Sequence, residues 1–195
     1  LGTFLNSIFK YEDAKECLDQ AENLAEKRDM AQVECQVLNE LAIYYLATKK
    51  PDEAIQSLLK KQNLERINKF EIEPEAGWTR LGLAYEQKGD LEKAVSALKE
   101  GLHKAKEMGN GLCLRIIFKH LGSCFTTMKD YQQAEEYFEA SLTLARSFNK
   151  RNEEMEILHR FGKMYVESGD IDQAILIFNE GLDLAKNFRN SKFEG

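Results

Sequence analysis

Residues 81–98 read LGLAYEQKGDLEKAVSAL, the pattern of two helices joined by a tight turn. Leu81, Gly82 and Tyr85 fall on one face of a first helix. Gly89-Asp90 stops it: glycine accepts the left-handed conformation that ends a helix, and aspartate caps the next one. Ala94 and Leu98, four apart, then share a face of a second helix.

The same frame recurs on both sides. Alanine stands at residues 14, 54, 94, 134 and 174, and residues 2, 42, 82, 122 and 162 read Gly, Ala, Gly, Gly, Gly. Two small-residue combs locked to one period of 40 residues mark a stack of like supersecondary units. Leu121-Gly122, Phe125, Asp130, Ala134 and Phe138 form one copy; Phe161-Gly162, Tyr165, Gly169-Asp170, Ala174 and Phe178 form the next. Upstream lie Leu41-Ala42, Tyr45, Ala54 and Leu58, with Pro51 at a first helical turn, where a missing N–H costs nothing. Leu1-Gly2, Leu5, Ala14 and Leu18 form the weakest copy. Asp130 and Asp170 are each followed three residues later by glutamine, a box-like start signal. Gly or Ala on one helix and Ala on the other let the two backbones approach, while Tyr45, Tyr85, Phe125 and Tyr165 fill the space beside the crossing.

The pattern resembles the tetratricopeptide repeat, whose offsets are matched by Trp78, Leu81, Gly82, Tyr85, Ala94, Leu98 and Gly101. The resemblance covers almost the whole chain. It implies an all-α, right-handed superhelical solenoid of antiparallel helix pairs, with five repeats of which the first is truncated. The repeats run approximately over 1–29, 30–69, 70–109, 110–149 and 150–189, with a tail at 190–195, as a single solenoid over 1–195. Two departures stand out. The usual period is about 34 residues, and Arg66, Lys106, Arg146 and Lys186 occupy the offset where a proline commonly ends the second helix. Longer units without that proline look like the forty-residue subclass of Pins-type polarity adaptors and rapsyn-like scaffolds.

The second repeat is irregular. Lys61 stands where Ala21, Gly101, Ser141 and Gly181 are small, and KFEIEPEAGW follows, with Glu71, Glu73 and Glu75 around Pro74. Two readings are open: a solvated turn before a helix starting at Pro74, or a looser joint in the stack. Leu1 enters within a first helix and residues 189–195 stop before a new Leu-Gly pair, so the chain reads as a fragment of a longer array or of a larger protein.

Composition suits long exposed helical faces, with 31% charged residues around a 43% apolar fraction. A net charge of −6 argues against nucleic acid as the main partner. Cys17, Cys35, Cys113 and Cys124 form no Cys-x-x-Cys pair, which favours a reduced compartment over a disulfide framework. No apolar run approaches the ~20 residues that span a bilayer, and signal-peptide grammar is missing, so membrane insertion is not expected. A cytoplasmic or cytoskeletal setting follows.

Chemistry is sparse. The glycines are single and sit at repeat positions, forming no phosphate-cradling loop. His103, His120 and His159 never stand four apart, and no nearby Cys, Asp or Glu set completes a metal site. Carboxylates lie on solvated faces without an acid–base pair in a cleft. No cofactor, no metal and no catalysis are expected of this chain.

In tetratricopeptide stacks the first helices line a concave groove that takes a peptide. Carried over by offset, that groove holds Asn39 and Ile43, then Arg80 and Leu83, then Lys119, Ser123 and Thr127, then His159, Arg160 and Lys163. Residues 111–129 contain Arg115, Lys119 and Lys129, with His120, and no Asp or Glu. Arg115 and Lys119, four apart, repel each other by a few tenths of a kcal/mol in an isolated helix. Either an acidic protein or peptide partner relieves that cost, or Glu100, Glu135, Glu136 and Glu139 of the second helices neutralise it within the stack. The carboxylate clamp of heat-shock cochaperones is incomplete here, since Ser123 replaces its asparagine and Glu156 stands where a base is needed. Of the repeated groove asparagines of Pins-type adaptors, only Asn39 is present.

The leading expectation is a non-catalytic protein–protein interaction scaffold that binds a partner segment along its concave face. The alternatives are a structural or docking component of a large cytoskeletal or ciliary assembly, and a peptide-sensing regulatory module of a larger protein.

Overall fold

The computed structural model describes the backbone of residues 2–191 and the side chains of residues 14–187. Among these, all regular structure is helical: α1 (Gly2–Lys27), α2 (Ala31–Ala47), α3 (Pro51–Asn68), α4 (Pro74–Lys88), α5 (Leu91–Glu107), α6 (Gly111–Thr127), α7 (Tyr131–Ser147), α8 (Arg151–Ser168) and α9 (Ile171–Ser191). The chain is an all-α helical repeat solenoid. None of the described helices is long and apolar enough to cross a membrane.

The helix ends follow from their residues. Asp130 accepts from the Gln133 amide at 3.2 Å while the Gln133 side chain donates back to Asp130 at 2.6 Å, and Asp170 accepts from the Gln173 amide at 3.1 Å. Gly89 and Gly169 adopt positive φ at the ends of α4 and α8. Where glycine is missing from that place, Lys49 and Lys129 take the left-handed conformation themselves. Asn110 caps α6 by accepting from the Cys113 amide at 3.1 Å.

The first copy differs from its sequence reading. Its α1 runs unbroken where a helix pair was expected. The stop position reads Phe9-Lys10-Tyr11, with no glycine, aspartate or proline to end one helix and start another. Ala14 is accordingly exposed, whereas Ala54, Ala94, Ala134 and Ala174 are buried. Leu1 and residues 192–195, and the side chains of Leu5 and residues 189–191, lie outside the described residues.

The chain divides into two compact units, Leu1–Gly101 and Leu102–Gly195, the division falling inside α5. In the first unit, Val37, Leu38 and Leu41 of α2 pack against Leu18 and Ala21 of α1. A second cluster joins Ala42, Ala54, Ile55, Leu58, Leu81 and Ala84, with Trp78 and Tyr85 laid against it. Gly82 is required at its crossing, because a Cβ there would sit 2.5 Å from Leu98 Cγ. In the second unit, Phe138 is fully buried and stacks on Phe161 with centroids 5.5 Å apart, and Phe161 stacks on Tyr165 at 4.9 Å.

The irregular second repeat proves to be pinned. Lys61 is 2% exposed, and its ammonium donates to Glu65 Oε1 at 2.7 Å and to the Ile72 carbonyl at 2.8 Å. The Ile72 amide donates in turn to Glu65 Oε1 at 2.7 Å. This clasp closes the linker 69–73, whose ends, Lys69 and Glu73, both have positive φ. The helix after it starts at Pro74, as read. Glu71 and Glu73 face solvent, but Glu75 is buried, so the turn is only partly solvated.

Three of the four cysteines are buried and Cys17 is exposed. Burial first, and the Glu65 charge second, push the Cys35 thiol up to about 11. At neutral pH a thiol-exchange reagent is therefore expected to label Cys17 promptly, and Cys35, Cys113 and Cys124 only after guanidinium is added. Prompt reaction of two or more thiols in the native protein would contradict this packing.

Candidate functional site

The sequence-derived face lies on α2, α4, α6 and α8. In the first unit the structure joins Asn39 of α2 to Arg80 of α4, the guanidinium donating to Asn39 Oδ1 at 2.9 Å. Beside this bridge is a cavity of about 540 Å³ lined by Leu18, Gln36, Val37, Asn39, Glu40, Ile72, Glu73 and Arg80. Ile43 is exposed and Leu83 half-buried, and neither lines that cavity. Asn39 Oδ1 is occupied by Arg80, which leaves the amide NH₂ to donate to a carbonyl.

In the second unit three cross-helix contacts run between α6 and α8. Lys119 Nζ meets Glu156 Oε2 at 3.0 Å, Arg160 donates to Ser123 Oγ at 2.9 Å, and Arg115 pairs with Glu153. Arg160 also reaches Glu156 on its own helix at 3.1 Å. Burial alone would raise the Glu156 pKa, but the hydrogen bond from Lys119 and the charges of Lys119 and Arg160 outweigh it and hold the carboxyl below its usual range. Burial lowers the Arg115 pKa, opposed by the charge of Glu156.

The repulsion between Arg115 and Lys119 is thus relieved inside the unit, by Glu153 and Glu156 of the following first helix. The second-helix carboxylates are placed elsewhere: Glu135 accepts from the Tyr165 hydroxyl at 2.5 Å, and Glu136 and Glu139 are exposed. Arg115 and Lys119, 3% and 8% exposed, offer a partner little surface, whereas Lys163 and His159 are exposed and Arg160 is half-buried. His159 lies 6.1 Å from the Phe178 ring, His120 is half-buried, and the Thr127 hydroxyl donates to the Ser123 carbonyl at 3.1 Å.

Sequence reading missed Gln36, Glu40 and Glu73 as cavity residues, and missed Glu153 and Glu156 as the partners of the basic helix. The available signal was opposite charge roughly one repeat apart: Arg115 with Glu153, and Lys119 with Glu156. Among the described residues no group of His, Cys, Asp and Glu is arranged to hold a metal ion.

A family model described as tetratricopeptide repeat matches residues 114–187, and a second with the same description matches residues 76–102. Response regulator aspartate phosphatase A of Bacillus subtilis (strain 168) is 28% identical over 102 residues, 52% of this chain and 27% of that protein. The chain thus spans little more than a quarter of the length of that curated relative. Among solved structures, BtubC (BKLC) from P. vanneervenii superposes with a TM-score of 0.82 at 14% identity, covering 94% of this chain and 76% of that one. A Rap protein complexed with competence and sporulation factor gives 0.75 at 18% identity, covering 97% of this chain and 51% of that one. At these identities the likeness is one of fold. Taken with the matched segments and the capped helix pairs, it identifies the units of this chain as tetratricopeptide repeats.

Proposed function

We propose that the chain is a non-catalytic interaction scaffold that takes a segment of a partner protein along the exposed face of its first helices. The observation that carries this reading is the cavity beside Asn39 and Arg80, where a bridged polar pair is held in place next to apolar Leu18, Val37 and Ile72. Pre-formed polar groups on rigid helices bind an extended segment at low ordering cost. The Rap protein solved with competence and sporulation factor shares the fold, which adds support. An acidic segment suits the second unit, where exposed Lys163 and half-buried Arg160 lie near each other on α8. The second helices start at Pro51, Leu91, Tyr131 and Ile171, which supports placing the chain in the forty-residue subclass.

The test is selection from a displayed peptide library with three proteins: the unaltered chain, Asn39→Ala/Arg80→Ala, and Arg160→Glu/Lys163→Glu. Peptides enriched by the unaltered chain are expected to lose at least tenfold in affinity, about 1.4 kcal/mol, with one or both variants. Equal enrichment by all three would remove the first-helix face from consideration.

The relation to response regulator aspartate phosphatase A favours a second reading, a sensing module whose bound segment controls the rest of a larger protein. Under it, binding is accompanied by a change in amide-exchange protection of the helices, which a passive scaffold does not need.

A further inference from the structure

The clasp of the second repeat borders a second cavity. The linker 69–73 is the longest connection between the described helices, and the clasp holds its Ile72 against α3. Lys61 stands at a crossing where the other repeats have small residues, and Gly77 faces it without a side chain: a Cβ there would meet only Lys61 Nζ, at 3.5 Å. The result is a half-open cavity of about 690 Å³ within the first unit. That is the size of pockets that hold small organic ligands, roughly 300–1,000 Å³. It shares no lining residue with the cavity at Asn39 and Arg80.

Its lining is divided by chemistry. The floor is Leu58 and Lys61, both almost fully buried, and the ammonium is already matched by Glu65. A second carboxylate driven down to that floor would face Glu65 at close range. The walls are the half-buried rings of Phe70 and Trp78. At the mouth stand Arg66, Lys69 and Glu71, all exposed, two cations against one carboxylate. A flat apolar body therefore fits against the rings, and an anionic group fits at the mouth, where it can pair with a guanidinium or an ammonium.

We propose that this cavity is a binding site for a small aromatic carboxylate, its ring against Phe70 and Trp78 and its carboxylate at Arg66 and Lys69.

Trp78 is the single tryptophan of the chain, so the protein gives one indole N–H signal in a ¹⁵N-correlated spectrum, and that signal comes from the cavity wall. The full chain is titrated with 2-naphthoate and, separately, with its neutral isostere naphthalene-2-carboxamide. The expected result is a saturable shift of the Trp78 indole signal with naphthoate, and binding about tenfold weaker for the carboxamide. Arg66→Glu/Lys69→Glu, which alters exposed side chains only, is expected to weaken naphthoate by a similar factor while the rest of its spectrum stays in place. An indole signal unmoved by millimolar naphthoate would overturn the proposal. So would equal affinity for acid and amide, or equal affinity in the charge-reversed protein.

Discussion

Lys61→Met is expected to destabilise the protein by about 3–5 kcal/mol, the usual result of removing one member of a buried ion pair. Methionine fills much of the same volume, so the loss arises from charge rather than from space. Glu65, 8% exposed, would keep the Ile72 amide as a donor but lose the ammonium that neutralises it. The linker 69–73 would also lose the bond that ties the Ile72 carbonyl to α3. Guanidinium unfolding followed by far-UV circular dichroism measures the effect. The double variant Lys61→Met/Glu65→Leu is expected to recover most of the loss, because buried pairs replaced together by apolar groups are often neutral. A single variant with an unchanged midpoint would show that the pair adds nothing net. A double variant as unstable as the single would place the loss in the linker clasp instead.

Phe138→Ala is the second large effect, with an expected cost of about 3–5 kcal/mol for deleting a buried phenyl ring. Phe138 is 1% exposed and stacks on Phe161, so its loss removes both burial and a ring contact. The void would be hard to refill, since the helix opposite presents Gly122, which has no side chain to lean in. Phe138→Leu keeps most of the volume and is expected to cost clearly less. Denaturation of the three proteins in parallel checks both statements, and an alanine variant within 1 kcal/mol of the original would mean that the ring is not part of a close-packed core.

The helix pairs were legible because their signals are local. Gly89-Asp90 and Gly169-Asp170 each combine a left-handed glycine with a capping carboxylate, Asp130 supplies the carboxylate alone, and each marks a real boundary. The face of Leu81, Gly82 and Tyr85 on α4 and that of Ala94 and Leu98 on α5 were likewise readable, since helical spacing alone turns those residues inward. The pairing of charges was not. Whether Lys119 meets a carboxylate on the second helix or on the next first helix depends on how three helices lean together, and that is a tertiary distance with no local signature. The clasp of the second repeat was hidden for the same reason: KFEIEPEAGW has the composition of a solvated loop, and nothing within it announces that Ile72 will be held by Lys61 and Glu65 eleven and seven residues earlier.

The matching of a bare glycine to a large side chain at the crossings of Gly82, Gly122 and Gly162 makes the order of mutation matter. A Cβ at Gly122 would lie 2.9 Å from the Phe138 ring, and one at Gly162 would lie 2.5 Å from the Phe178 ring, whereas Ala42 is accommodated where the residue at the equivalent place is Leu58. At a glycine–phenylalanine crossing the methyl group can be added only after the facing side chain has shrunk and shifted, and shrinking to leucine is not enough by itself, since a Cβ at Gly82 would lie 2.5 Å from Leu98 Cγ. In the reverse direction the methyl group must be lost before the ring is regained. The two single steps are therefore not interchangeable. Repeats that look equivalent by pattern cannot exchange helices freely, because each has become fitted to its own neighbour.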